Sequence, residues 1–386
     1  MISHFMQKKW KYLAPIVTNI PDKPLMFAAK KFVNLQKQEL IGDKMPKRAM
    51  FLVTKKCNLR CKHCFYMPHI SSAPEMSFYQ IQQLASSVKN NLEQIVFAGG
   101  EPFLRDDFSD IVLSFIKNGC RIVAVDTNGT LIEKVRLFLE KILSETRVKL
   151  SFVVSLDGPP AIHDDIRQVQ GASEKTMRTI ALLSDYYQKY PSRFGNIIVS
   201  TSINRLNLAY LPEIIDQIKP FKNIVHSFNF TRSANLHTFG VPQDLLSGFD
   251  VNKDVILNID EMKSAFKCLD AEAWKTKNIP LIAFSNRQIM IEVIRLLEKR
   301  STGFSCLAGK TEVIVYPEGD VGICEMLKPV GNLEETGYDL IKFYKQHREQ
   351  FQAARKCSCT HDCNVMSSIR FSPSSIVELI KRKKTW

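Results

Sequence analysis

The chain has 386 residues, 45% of them hydrophobic and 24% charged, with ten cysteines and a formal net charge of +14. That length and apolar content imply one large domain with appendages, or two domains, and exclude wholesale disorder. Ten cysteines in a chain with no secretory signal imply a reducing compartment, the cytoplasm, and thiols used for metal ligation rather than disulfides. The positive charge suits acidic peptides, acidic redox proteins or anionic lipid, whereas the scattered lysines form no nucleic-acid module.

In chain order, residues 1–45 read as a basic helical extension, with one or two helices between 4 and 40 broken around Pro21 and Pro24. No stretch approaches the ~20 apolar residues of a membrane span, but a basic amphipathic helix of this kind is suited to peripheral membrane contact. From 46 to 260 the pattern alternates. Apolar runs at 49–53, 94–98, 121–125, 149–156, 196–203 and 226–230 read as strands. Helical stretches at about 77–90, 107–118, 131–144, 173–189 and 208–219 separate them. Six strands with five intervening helices predict an α/β fold with a parallel sheet, either doubly wound or barrel-like, with ligands at the strand ends. A loop or lid is expected at 231–260, connecting helices over 261–303, a cysteine-bearing segment at 304–370 and a basic tail at 371–386.

Directly after the first strand come Cys57, Cys61 and Cys64. Thiolates repel one another and stay close together when bridged or metal-bound, so this spacing points to one metal centre reached from one loop. A structural zinc site takes four protein ligands, and the nearby His63 lies inside the turn that the cysteines must wrap. Three thiolates with an open fourth position suit an iron-sulfur cluster with one iron free to hold another ligand.

This Cys-x3-Cys-x2-Cys loop resembles the cluster loop of the radical S-adenosylmethionine (SAM) enzymes. The resemblance implies a partial (β/α)6 TIM-like barrel and a [4Fe-4S] cluster held by three cysteines, whose free iron chelates SAM. Gly99-Gly100-Glu101-Pro102, after the second strand, matches the family motif that holds the amino group of SAM. Asn128, in the Thr-Asn-Gly-Thr turn after the third strand, is a candidate cofactor contact or a helix cap. Ser155 and Asp157 alternate onto one face of the fourth strand, where they can meet one polar ligand such as a ribose, and Arg167 is suited to a carboxylate. In peptide-modifying members of the family a serine and an arginine in such a segment contact the ribose and carboxylate of SAM, so the resemblance carries these roles to Ser155 and Arg167.

Between Cys306 and Cys324 the sequence reads as a small hairpin, and Cys357, Cys359 and Cys363 follow. Five cysteines in this segment suggest a second metal centre, with zinc as the alternative to iron-sulfur. The spacing Cys306-x12-Gly319-x4-Cys324 resembles the opening of the auxiliary-cluster domain called SPASM, or its shorter form, twitch. The ending departs from the full SPASM pattern, so one auxiliary [4Fe-4S] cluster is expected, on Cys306, Cys324 and two of the last three. Glu325 stands where some relatives keep an acidic proton acceptor. Cys120 and Cys268 read as buried small hydrophobes.

The resemblance thus implies an enzyme that cleaves SAM to a 5′-deoxyadenosyl radical and abstracts hydrogen from a substrate. The expected substrate is a ribosomally made peptide or a protein, with reduced ferredoxin or flavodoxin as electron donor. The alternatives are a radical SAM dehydrogenase of a small metabolite and a non-catalytic iron-sulfur or zinc protein.

Overall fold

A computed structural model describes residues 45–71, 74–248, 251–273, 281–300, 306–353 and 357–361, together with 365 and 368. The basic N-terminal helices, the basic tail and Cys363 lie outside the described residues.

Among the described residues, nine strands form one sheet. The first six are β1 (Arg48–Leu52), β2 (Gln94–Ala98), β3 (Ile122–Thr127), β4 (Lys149–Ser155), β5 (Phe194–Ile203) and β6 (Ile224–Phe230). Each pairs in parallel with the next. The helices between them are α1 (Phe78–Ser87), α2 (Phe108–Lys117), α3 (Ile132–Glu145), α4 (Pro160–Arg167), α5 (Ala172–Lys189) and α6 (Leu211–Ile218). α1 starts at a capping box in which Ser77 and Gln80 satisfy each other's backbone donors. Among these six helices, α4 is the one not expected from periodicity. Two turns are too short to show a period, although Pro160 at its first position is a start signal.

Beyond the connecting helices α7 (Ile259–Glu272) and α8 (Leu281–Lys299) comes the expected hairpin, β7 (Val313–Val315) and β8 (Asp320–Gly322). It belongs to the main sheet. β7 pairs in parallel with β1, with Ala49 opposite Val313 and Phe51 opposite Val315. Its three residues are buried throughout, as a strand covered on both faces requires. β9 (Gly331–Asn332) adds an antiparallel edge, so the order is β9-β8-β7-β1-β2-β3-β4-β5-β6. No pairing joins β6 to β9 among the described residues, and the sheet stays open, as a partial barrel does. The segment at 231–260 is mostly irregular, but Thr238–Phe239 pairs with Ser358–Cys359 in a separate two-stranded sheet. No described helix is long and apolar enough to cross a membrane.

The two faces of the sheet differ. Phe51, Phe97, Val123, Val125, Phe152, Val154, Ile197 and Val199 are buried under the helices, where Phe97, Phe108 and Phe138 pack edge-to-face and stacked. On the other face Val96, Ala98, Asp126, Val153, Ser155, Ile198, Ser200, Ser202, Ser227 and Asn229 are only half-buried. That inner face is the accessible one, and the cysteine loop stands at its upper rim.

Candidate active site and second cysteine cluster

The loop after β1 is clamped from two sides. Gly100 donates its N–H to the Thr54 carbonyl at 2.8 Å, and Glu101 donates to the Lys56 carbonyl at 2.8 Å. A Cβ on Gly100 would lie 2.0 Å from the Lys56 oxygen, and Gly99 sits at φ +135°, so both positions require glycine. The close approach anticipated for a ligand is made here to the cysteine loop's own backbone. From the other side, Arg60 and Lys62 donate backbone N–H groups to the carbonyls of Arg167 and Ile166 at the end of α4, at 3.3 and 2.9 Å. Exposed Lys56, Asn58, Arg60 and Lys62 alternate with inward Cys57, Leu59 and Cys61.

Burial pushes the Cys57 thiol up to about 11, and the charges of Glu101 and Cys61 add to the rise. Burial and the neighbouring Cys61 push Cys64 up to about 12. Cys57 feels Cys61, Cys64 feels both Cys61 and Cys57, and thiols held as high as Cys57 and Cys64 keep their protons at neutral pH unless a metal cation replaces them. N–H donors already point at two of the sulfurs: Leu59 N–H to Cys57 Sγ and Arg167 Nη1 to Cys61 Sγ, both at 3.5 Å. Among the described residues no three His, Cys, Asp or Glu side chains form a single-ion site. A four-iron cluster places its thiolates on separate irons, and it is this donor set, one buried and two half-buried thiols with N–H donors at two of them, that the loop fits.

Arg167 and Asp157 meet as a buried ion pair. Burial alone would raise Asp157, but Arg167, then His63 and His163, hold it below the usual carboxylate range. Asp157 Oδ1 also accepts the Ser202 N–H at 2.9 Å. Arg167 is therefore already engaged by a carboxylate of this chain and by Cys61, leaving its buried Nε without a partner. Burial lowers His63 and His163 to about 4, so both imidazoles are neutral at pH 7. Asp157 N–H donates to His163 Nδ1 at 3.1 Å, which puts the ring proton on Nε2. Ser155 ends β4 on the inner face, half-buried and opposite Ser200.

Glu101 is fully buried. Its Oε1 accepts from the Thr127 hydroxyl at 2.9 Å and Phe103 N–H at 3.2 Å, and its Oε2 from Asn128 N–H at 2.8 Å. Burial nevertheless raises it to about 7, against the pull of those donors. Asn128 continues the chain of contacts: its Nδ2 donates to Asn58 Oδ1 at 2.9 Å, inside the cysteine loop. Glu101, Asn128 and Asn58 thus lock the ends of β2 and β3 to the loop, while Pro102 opens the 3-10 turn Pro102–Leu104. The sequence motifs pass over Asn58, a hydrogen-bonding residue one position from Cys57, whereas Thr127 belongs to the Thr-Asn-Gly-Thr turn already noted.

The late cysteines converge as well. Burial raises Cys324 steeply, with Cys359 and then Cys306 adding to the rise. Cys357 is raised first by its hydrogen bond to Cys306, then by burial and by Cys359 and Cys324. Cys324 therefore lies within electrostatic reach of Cys306 and Cys359, and Cys357 within reach of all three. Beside them Glu325 Oε2 accepts from His361 Nε2 at 2.5 Å and Arg232 Nη2 at 3.0 Å. Burial would raise Glu325, but these two partners bring it below its ordinary value. Arg232 also stacks 4.5 Å over the Phe65 ring, linking this cluster to the first cysteine loop. Arg232 and His361 were not anticipated, since nothing in their local sequence marks a partner 93 or 36 residues away.

Residues 51–218 match the radical SAM superfamily, and the chain carries a radical SAM domain there. That family is defined by a [4Fe-4S] cluster and SAM, the pair that the first cysteine loop fits. Among individual proteins, the chain is similar to the antilisterial bacteriocin subtilosin biosynthesis protein AlbA of Bacillus subtilis strain 168, at 24% identity over 307 residues, 77% of this chain and 59% of that protein. It is 32% identical to the AdoMet-dependent heme synthase of Oleidesulfovibrio alaskensis over 167 residues, 42% of this chain and 39% of that protein. The chain thus spans roughly two to three fifths of the length of these curated relatives. In fold it resembles Streptococcus suis SuiB bound to the precursor peptide SuiA, with a TM-score of 0.55, 14% identity, and 89% of this chain and 77% of that chain covered. It also resembles anSMEcpe bound to AdoMet and the Cp18Cys peptide, with a TM-score of 0.55, 16% identity, and 87% and 99% covered.

Proposed function

We propose that the chain is a radical SAM enzyme that modifies a ribosomally made peptide or a protein. The observation that carries the chemistry is the clamped loop, where buried Cys61 and half-buried Cys57 and Cys64 sit in one turn held by Gly99, Gly100, Glu101 and Asn128. When bound there, a [4Fe-4S] cluster and SAM supply a 5′-deoxyadenosyl radical able to take a hydrogen atom from an unactivated carbon. The chain's own residues hold and orient. Cys57, Cys61 and Cys64 would ligate the cluster. Arg167 places a positive charge and an N–H donor against Cys61, while Asp157 fixes the guanidinium. The Gly99–Pro102 turn, Ser155 and the free Nε of Arg167 are the groups assigned to SAM.

Cys306, Cys324, Cys357 and Cys359 are assigned to one auxiliary [4Fe-4S] cluster, supported by their mutual electrostatic influence. Zinc remains the competing occupant, decided by the iron count. Glu325 is read as a structural partner of Arg232 and His361 in the resting protein rather than a free proton acceptor. The exposed Lys56, Arg60 and Lys62 beside the first loop, with a net charge of +14, favour an acidic electron donor such as reduced ferredoxin or flavodoxin. Free buried thiols suit a reducing compartment, so the cytoplasm is the proposed location.

The peptide class rests on the extent of similarity. The match to the subtilosin biosynthesis protein runs over 77% of the chain, whereas the heme synthase match spans 42%. The test is turnover by the reduced, reconstituted protein on size-fractionated host extract. Deoxyadenosine production stimulated by the peptide fraction, and abolished when that fraction is first digested with protease, is expected. Stimulation by the small-metabolite fraction alone would establish the dehydrogenase reading instead.

A further inference from the structure

One buried carboxyl has no part in the site described above. Asp126 lies on the inner face of β3, in register with Val153 and through it with Ile198, and it follows the last paired residues of β2 and β3, Phe97 and Val125, next to which Ala98 pairs with Leu52. It is the charged member of an otherwise apolar row. Its Oδ1 is buried without a hydrogen-bond partner. Three carboxylates influence it, in the order Glu325, Glu312 and Glu101. Each of these is answered: Glu325 by Arg232 and His361, Glu312 by Arg48 at 3.3 Å, and Glu101 by its N–H and hydroxyl donors. Asp126 is the one of the four whose buried oxygen has no hydrogen-bond partner, an arrangement that costs stability unless a ligand completes it.

We propose that Asp126 seats a cationic group of the substrate, the ammonium or guanidinium of a lysine- or arginine-like side chain, against the inner face of the sheet. The proposal rests on the reading that this face receives the substrate. The surrounding carboxylates add to the local negative potential, and the apolar walls of Leu52, Ala98, Val153 and Ile198 suit the aliphatic stem that carries such a charge. A protein of net charge +14 repels cations at long range, so selective uptake of one requires a local acid.

The test uses two probes alike but for the charge, N-acetyl-lysine amide and N-acetyl-norleucine amide, titrated by calorimetry into the anaerobically reconstituted protein with SAM present. The expected result is at least tenfold tighter binding of the lysine probe to wild type, and a ratio near one for the isosteric Asp126→Asn. Equal binding of the two probes by wild type overturns the proposal, as does a preference that Asp126→Asn retains. The wild-type ratio decides even if the variant fails to fold. Deoxyadenosine formation by the same reduced wild-type sample reports separately on the radical SAM reading, so failure of one is distinguishable from failure of the other.

Discussion

Arg167 Nη1 donates to Cys61 Sγ at 3.5 Å while the same guanidinium is paired with buried Asp157. A donor and a positive charge at a ligating sulfur stabilise the reduced, more negative cluster. Arg167→Gln is therefore expected to make the midpoint potential of the first cluster more negative, measured by redox titration followed by electron paramagnetic resonance. An unchanged or more positive potential would show that this contact does not tune the cluster.

Gly100 makes a second prediction sharp. A methyl group at this position would meet the Lys56 carbonyl at 2.0 Å, and that carbonyl belongs to backbone that cannot swing aside. Gly100→Ala should cost about 1–3 kcal/mol of stability and displace the loop entry. Iron bound by the first loop, counted in a variant lacking the late cysteines, should fall by more than half. Full iron loading would mean that the clamp is dispensable.

For the late cysteines, the convergence of four thiols predicts about eight irons per reconstituted wild-type chain and about four for Cys324→Ala. Cys363→Ala should keep about eight, because the other four cysteines suffice as ligands. Zinc in place of the second set of irons, seen by elemental analysis, would favour the tetrahedral thiolate alternative.

Glu325 offers a contrast between structure and catalysis. Removing its carboxylate by Glu325→Ala takes the shared acceptor from half-buried Arg232 and buried His361, a loss of about 3 kcal/mol. Glu325→Gln retains an acceptor oxygen and should lose less. Equal melting temperatures for wild type and Glu325→Ala would contradict the assignment of a structural triad.

Asp126 also sets a pH dependence. Burial, then Glu325, Glu312 and Glu101, raise it from 3.8 to about 7. Between those values the folded chain keeps a proton that the unfolded chain has released, so stability falls as pH rises through the window, by up to about 1.4 kcal/mol per pH unit. Asp126→Asn should flatten the fall in melting temperature between pH 5 and pH 8 and be the more stable protein at pH 8. Parallel curves for the two proteins would show that Asp126 does not titrate in this way.

The strands and the first metal loop were legible because their signals are local. Residues 95–98 form a short apolar run, and Cys57, Cys61 and Cys64 lie within eight residues. The hairpin at 313–322 was legible as a hairpin, but its pairing with β1 joins segments more than 250 residues apart and leaves no periodic trace. The partnership of Asp157 with Arg167 was hidden for a related reason. Each residue was noted for a ligand, and only the turn through α4 shows that they meet. Asp126 was invisible because one acid in an apolar strand resembles a strand end until the row across the sheet is known.

The central claim is that the loop of Cys57, Cys61 and Cys64 directs reductive cleavage of SAM. Anaerobically reconstituted, reduced protein incubated with SAM should release 5′-deoxyadenosine, and Cys61→Ala should release none. A reduced wild-type protein that carries iron yet forms no deoxyadenosine would contradict the account.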